Sequence, residues 1–114
     1  MGDCLFCKMI AGEIPVTPVY QDADLIVLQD IDPKAPLHVL IIPKTHITSL
    51  NDLTPEHDGL VGSMFRRAAT IANERGYGGR GYRTVFNTNR EAGQSIFHIH
   101  LHLLAGRSLT WPPG

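Results

Sequence analysis

Cysteine is scarce in this chain of 114 residues: there are two, both in Cys4-Leu5-Phe6-Cys7. That excludes a disulfide-stapled scaffold and a secreted mini-domain. In a reducing compartment the Cys-x-x-Cys spacing suggests a metal site, with a buried pair of small apolar side chains as the other reading. Charge of one sign is also missing. Ten Lys and Arg nearly cancel eleven Asp and Glu, for a net charge of −1. No basic run or patch marks a polymeric nucleic acid as partner. No apolar stretch is long enough to cross a bilayer, so no membrane association is expected. The N-terminus, Met1-Gly2-Asp3-Cys4, lacks the basic-then-apolar pattern of a signal peptide. Phe6 stands where a myristoylation signal needs Ser or Thr. These absences point to the cytoplasm. The glycine-rich stretch Gly76 to Gly81 lacks the Lys-Ser/Thr ending of a phosphate-binding loop and opens no helix, so it reads as a flexible connection.

What is present suits one domain over residues 1–114, long enough to bury an ordinary core. Cys4 to Ala11 predicts a short helix or turn closed by Gly12. Val19 to Asp22 and Leu25 to Gln29 are β-prone runs, a hairpin around Ala23-Asp24. Asp32-Pro33-Lys34-Ala35-Pro36 is a loop, because neither proline suits a central strand. Leu37 to Ile42 is a strand ended by Pro43. Thr54 caps the one long helix, with Pro55 in its first turn. Leu60, Val61, Met64, Phe65, Ala68, Ala69, Ile71 and Ala72 form its apolar face, and Gly76 ends it. Tyr82 to Phe86 and Ile96 to Leu104 are the last strands. The sum is an α+β fold: a single antiparallel sheet of about five strands, one long helix and a short N-terminal helix.

The densest chemistry lies in His98-Ile99-His100-Leu101-His102-Leu103. Alternate residues of a strand share a face, so Ile99, Leu101 and Leu103 would enter the core while three imidazoles line the opposite surface. One metal ion cannot take all three: the outer pair would stand about 13 Å apart on a regular strand, against metal–nitrogen bonds of about 2.0–2.1 Å. A division of labour suits them better, with one ring a nucleophile or base and its neighbours orienting it. An imidazole is well populated as the neutral, nucleophilic form near pH 7. His38, opening a core strand, is expected to bond a neighbouring backbone group. His57, in the first helical turn, is expected to be solvated.

The order of these motifs resembles the histidine triad superfamily, in its nucleotide-binding, Hint-like branch. The resemblance is carried by Asp30-Ile31-Asp32-Pro33-Lys34-Ala35-Pro36, by His38 to His46, and by Asn87. Gly93-Gln94-Ser95, His98 to Leu104 and the ending Trp111-Pro112-Pro113-Gly114 complete it. It implies hydrolysis of a purine nucleoside 5′-phosphoramidate at the α-phosphorus through a covalent nucleotidyl-histidine. His100 would be the nucleophile, with His102 on phosphate oxygens or the leaving group. Ser95 and the amides around Gly93 and Gln94 would stabilise the phosphoryl oxygens or protonate the leaving atom. His98 would orient His100 through its backbone. Asp30 would accept from the ribose hydroxyls in preference to the other reading, a carboxylate that merely starts the turn at Asp32-Pro33. Asn87 would bond near ribose and phosphate, and Ile31, Leu5, Phe6 and Leu28 would enclose the base. Cys4, Cys7, His46 and His98 would hold a structural zinc. No organic cofactor is implied, and two copies would form a homodimer, the Trp111 tail reaching the partner's site. A dinucleoside polyphosphate hydrolase and a non-catalytic nucleotide-binding regulatory module are the other activities that this resemblance leaves open.

Overall fold

The computed structural model describes residues 3–114; the readings of Met1 and Gly2 lie outside the described residues. Runs of branched apolar residues between turn formers build the sheet. Its strands are β1 (Tyr20–Gln21), β2 (Leu25–Gln29), β3 (Leu37–Pro43), β4 (Tyr82–Val85) and β5 (Leu101–Ala105). They lie in the order β1-β2-β3-β5-β4 with every neighbouring pair antiparallel. The expected α+β architecture, one antiparallel sheet with a long and a short helix, is the observed one. Among the described residues no helix is long and apolar enough to cross a membrane.

Period-two alternation divides the sheet between two layers. One face, with Val27, Leu37, Val39, Ile41, Leu101 and Leu103, packs on Met64, Ala68, Ile71 and Ala72 of the long helix α2 (Asp58–Glu74). Burying a side chain of this size is worth about 1.5–3 kcal/mol, so Met64 and Ile71 are the principal anchors of α2. The other face of β2 and β3 sets Ile26, Leu28 and Ile42 against Phe6 of the short helix α1 (Leu5–Ile10). Cys4 caps α1, its sulfur accepting from the Cys7 amide at 3.4 Å. Gly12, at φ 81°, turns the chain away after α1.

Four expectations need correcting. The last strand begins at Leu101, not Ile96. Residues 96–100 are irregular because His98 turns inward to full burial, while the Ile99 amide bonds the Ile47 carbonyl at 2.8 Å. Thr54 does not open the α-helix: Pro55–His57 is a 3-10 turn, and α2 starts at Asp58. His57 is half-buried rather than solvated, its Nδ1 accepting from the Thr54 amide at 3.0 Å. Phe65 is exposed although helical register puts it on the apolar face; it stacks edge-on against Phe86 at 5.7 Å. The Gly76–Gly81 connection is tied at both ends, Tyr77 to Ala72 and Gly81 to Tyr77, each at 2.8 Å.

Candidate active site

β5 lies between β3 and β4, and His102 is paired with Leu40 on one side and Val85 on the other. Every second residue of β5 from His102 faces away from α2, toward α1 and solvent. Just before β5 the chain bends, and this bend delivers the other two imidazoles.

His98 enters the interior and joins Cys4, Cys7 and His46, whose ligand atoms all lie within 4.8 Å of one another. His98 Nδ1 is 3.4 Å from Cys4 Sγ, 3.6 Å from Cys7 Sγ and 3.1 Å from His46 Nδ1, and Cys7 Sγ is 3.2 Å from His46 Nδ1. With Zn–N near 2.0–2.1 Å and Zn–S near 2.3 Å, the edges of a tetrahedral site run about 3.3–3.8 Å. The four residues therefore fit a closed tetrahedral zinc. The tautomer fits as well. His98 Nε2 lies 2.7 Å from the Pro43 carbonyl, an acceptor, so the proton is on Nε2 and Nδ1 presents its lone pair. Burial holds His98 below the ordinary histidine range, keeping the neutral ring that a metal needs. The side chain of His98 is thus committed here and does not line an open face, a correction to the simple strand reading.

The carbonyl of the same residue accepts from His100. His100 Nδ1 is 2.8 Å from His98 O, which fixes the His100 proton on Nδ1 and leaves Nε2 with its lone pair. Phe6 packs edge-on against both rings, at 5.7 Å from His98 and 5.1 Å from His100. Burial lowers His100 below the usual histidine range, opposed by its bond to the His98 carbonyl and by the Asp30 charge.

His38 and His102 are diagonal neighbours on antiparallel strands, since His38 pairs with Leu104 and Leu40 with His102. Their Nε2 and Nδ1 atoms meet at 2.9 Å. His38 Nε2 also lies 3.3 Å from Asp30 Oδ2, and its Nδ1 accepts from the Lys34 amide at 3.0 Å. The expected backbone partner of His38 is therefore present, but sequence reasoning missed its two side-chain partners. The Leu37–Pro43 strand showed that His38 and Leu40 share a face; nothing local showed that the face belongs to His102. Asp30 caps its turn, Oδ1 accepting from the Asp32 amide at 2.8 Å, and it also faces the cleft.

These groups meet at a cleft of about 310 Å³ lined by Leu5, Phe6, Leu28, Leu40, Asp30, Asn87, Ser95, His100 and His102, among others. Pockets of this size and mixed lining suit a small ligand. Phe6 and Leu28 form its buried apolar floor, while Leu5 is 40% and Ile31 is 101% exposed at its lips. Gly93 also lines the cleft, whereas the buried Gln94 does not. The Gln94 side chain accepts from the Asn89 amide and donates to the Thr48 and Ile96 carbonyls. The amides of Gly93 and Gln94 are both committed, to the Arg90 and Asn89 carbonyls at 3.0 Å. The expected amide cradle is therefore not available at these two residues, because the Arg90–Ala92 turn uses both donors. Ser95 remains exposed at the rim.

Comparison with known proteins places this arrangement. Residues 3–110 match the family model described as "Scavenger mRNA decapping enzyme C-term binding". The chain is 47% identical over 107 residues to a purine nucleoside phosphoramidase of Escherichia coli, covering 94% of this chain and 90% of that protein. A crystal structure of a HIT family hydrolase from Legionella pneumophila superimposes with a TM-score of 0.95 at 49% identity, covering 98% of this chain and 100% of that one. A zinc-bound histidine triad family protein from Mycobacterium smegmatis superimposes with a TM-score of 0.79 at 35% identity, covering 93% and 76% of the two chains.

Burial first, then the His100 and His38 rings, push His102 down to about 4, against an opposing pull from Asp30. An unfolded histidine titrates at about 6.5, so protons bind the unfolded chain first. The contribution of His102 to stability is complete above that value and is lost as pH falls toward 4. Ring NMR shifts of His102 should stay flat from neutral pH down to about pH 5 and move only below it. An inflection at the ordinary histidine value would contradict the half-buried, paired environment.

Proposed function

This chain belongs to the histidine triad superfamily, and we propose that it is a hydrolase that cleaves purine nucleoside 5′-phosphoramidates at the α-phosphorus. The observation that carries the reading is His100: its Nδ1 proton is tied to the His98 carbonyl at 2.8 Å, so Nε2 meets the cleft as an unprotonated nitrogen. Such a ring attacks phosphorus without a base.

The order of events follows from that atom. The His100 Nε2 lone pair forms a bond to the α-phosphorus, and the P–N bond to the leaving amine breaks. The departing nitrogen takes a proton from the Ser95 hydroxyl, which lines the cleft, and Ser95 regains one from the water that attacks in the second step. Water then attacks phosphorus, the His100–phosphorus bond breaks, and a nucleoside monophosphate departs. His102 bonds a phosphoryl oxygen, where preorganised donors act most strongly. Asp30 has carboxylate lone pairs left for ribose hydroxyls, and Asn87 lines the same cleft. The base lies between the buried Phe6 and Leu28 and the exposed Ile31 and Leu5. The phosphoramidate rather than a dinucleoside polyphosphate is favoured by the 47% identical E. coli phosphoramidase and by the Trp111-Pro112-Pro113-Gly114 ending.

The tetrahedral set Cys4, Cys7, His46 and His98 holds a structural zinc in this reading, supported by the ligand spacing and by the zinc-bound Mycobacterium relative. With four protein ligands the metal has no open position, so it supplies stability and not Lewis acidity. It would pin the N-terminal segment to the bend that carries His100. The exposed Phe65, Tyr82 and Trp111, on α2, the edge strand β4 and the tail, support pairing of two copies through that side of the molecule.

The purified chain should release AMP or GMP from the corresponding phosphoramidate, and His100→Ala should reduce turnover by at least about 10³-fold with an unchanged circular dichroism spectrum. Wild-type rates in that variant would refute the assignment, and faster cleavage of a dinucleoside polyphosphate would refute the substrate class. Protein prepared without chelator should carry one zinc per chain by elemental analysis; a metal-free, fully folded chain would remove the zinc. Sedimentation at micromolar concentration should give a dimer, and a monomer there would count against pairing.

A further inference from the structure

Asp30, His38 and His102 place a carboxylate oxygen and two ring nitrogens within 4.8 Å of one another, an arrangement that resembles a cation site. The Lys34 amide excludes that reading. A backbone N–H can only donate, so its 3.0 Å bond makes His38 Nδ1 an acceptor. The single proton of a neutral His38 must then sit on Nε2, where a metal would need a lone pair. A cation there would require His38 to lose both ring protons.

The same step determines what His102 can do. His38 Nε2–H faces His102 Nδ1 at 2.9 Å, with Asp30 Oδ2 sharing the proton at 3.3 Å. Were His102 to donate from Nδ1 instead, neither nitrogen of His38 would carry a proton. His102 Nδ1 is therefore the acceptor, and the proton of a neutral His102 is on Nε2, the atom left for the cleft.

We infer that His38 is a positioning residue: anchored by the Lys34 amide, it locks His102 into the Nε2–H tautomer, so that His102 serves the phosphoryl group as a fixed hydrogen-bond donor. The inference rests on the phosphoramidate reading for its functional consequence, not for the tautomer itself. Two roles are thereby closed to neutral His102. It cannot act as a base, because its only lone pair is taken by His38. Nor can it give its proton to the leaving amine. That loss would draw the His38 proton onto His102 Nδ1 and leave His38 with none, since the Lys34 amide still occupies the other nitrogen. The pair holds a proton at the phosphoryl oxygen and does not release it. The leaving-group proton comes from elsewhere in the cleft, and Asp30 Oδ2 restrains the same Nε2–H of His38 while its carboxylate faces the cleft.

Two measurements test this. Long-range proton–nitrogen NMR of the rings in the wild-type protein as purified, at neutral pH and without nucleotide, should show the His102 and His38 protons on Nε2. A His102 proton on Nδ1 would overturn the inference whatever the enzyme hydrolyses. In steady-state kinetics on an adenosine phosphoramidate, His38→Leu should lower kcat by about 10- to 100-fold, with KM changed by less than about 3-fold. His38→Gln, whose amide can donate to His102, should recover kcat to within about 10-fold of wild type. His102→Gln should likewise retain more activity than His102→Ala, because a donor suffices. Equal losses in His38→Leu and His38→Gln, or in the two His102 variants, would overturn the fixed-donor role. If a His38 variant fails to fold, the wild-type spectrum still decides. Absence of any phosphoramidate turnover in the wild type would refute the proposed activity and leave the tautomer result standing.

Discussion

Backbone groups decide where each imidazole proton sits, and the account depends on that constraint. The Pro43 carbonyl takes the proton of His98 at Nε2, and the His98 carbonyl takes that of His100 at Nδ1. The Lys34 amide, acting through His38, leaves the proton of His102 at Nε2. A histidine ring free to exchange tautomers would spend part of its time with the wrong nitrogen toward a ligand. Here the main chain, which can neither titrate nor rotate its polarity, removes that choice. Three rings of one residue type thus acquire three different chemical faces: a lone pair toward the Cys4, Cys7 and His46 cluster, an unprotonated Nε2, and an N–H donor.

The fold supplies these backbone groups at small cost in regular structure. β5 begins only at Leu101, and the irregular residues before it free the His98 carbonyl from any strand ladder. A strand continued back to Ile96 would have used that carbonyl for pairing. The cluster of half-buried Cys4, Cys7 and His46 with buried His98, together with the stacked Phe6, holds the bend from the interior side. The sheet does the same for His102, whose neighbours on β3 and β4 fix its position from both sides. Two contacts meet at His98, which joins the Cys4, Cys7 and His46 cluster with its side chain and orients the His100 ring with its main chain.

Much of this was legible in the residues because alternation has a direct physical cause. Leu101 and Leu103 are buried and His102 is not, as period two requires. Prolines 33 and 36 marked the loop, and Gly12 the end of α1. What was not legible came from contacts across the chain. His98 departs from the alternation because partners 52 and 94 residues away draw it inward. Gln94, expected at the ligand, is buried under the Thr48 carbonyl. His38 passed as an ordinary strand residue because its second partner lies 64 residues on. Phe65 sat in helical register with the core, yet register places a side chain on a face and does not say how far the sheet extends beneath it.

The central claim is that His100 Nε2 bonds phosphorus before water does. The stereochemical course at phosphorus tests it most directly, with a nucleoside thiophosphoramidate of known configuration hydrolysed in isotopically labelled water. Two successive displacements, each inverting, predict overall retention. Inversion would mean that water attacks in a single step, and the nucleophilic role of His100 would have to be abandoned.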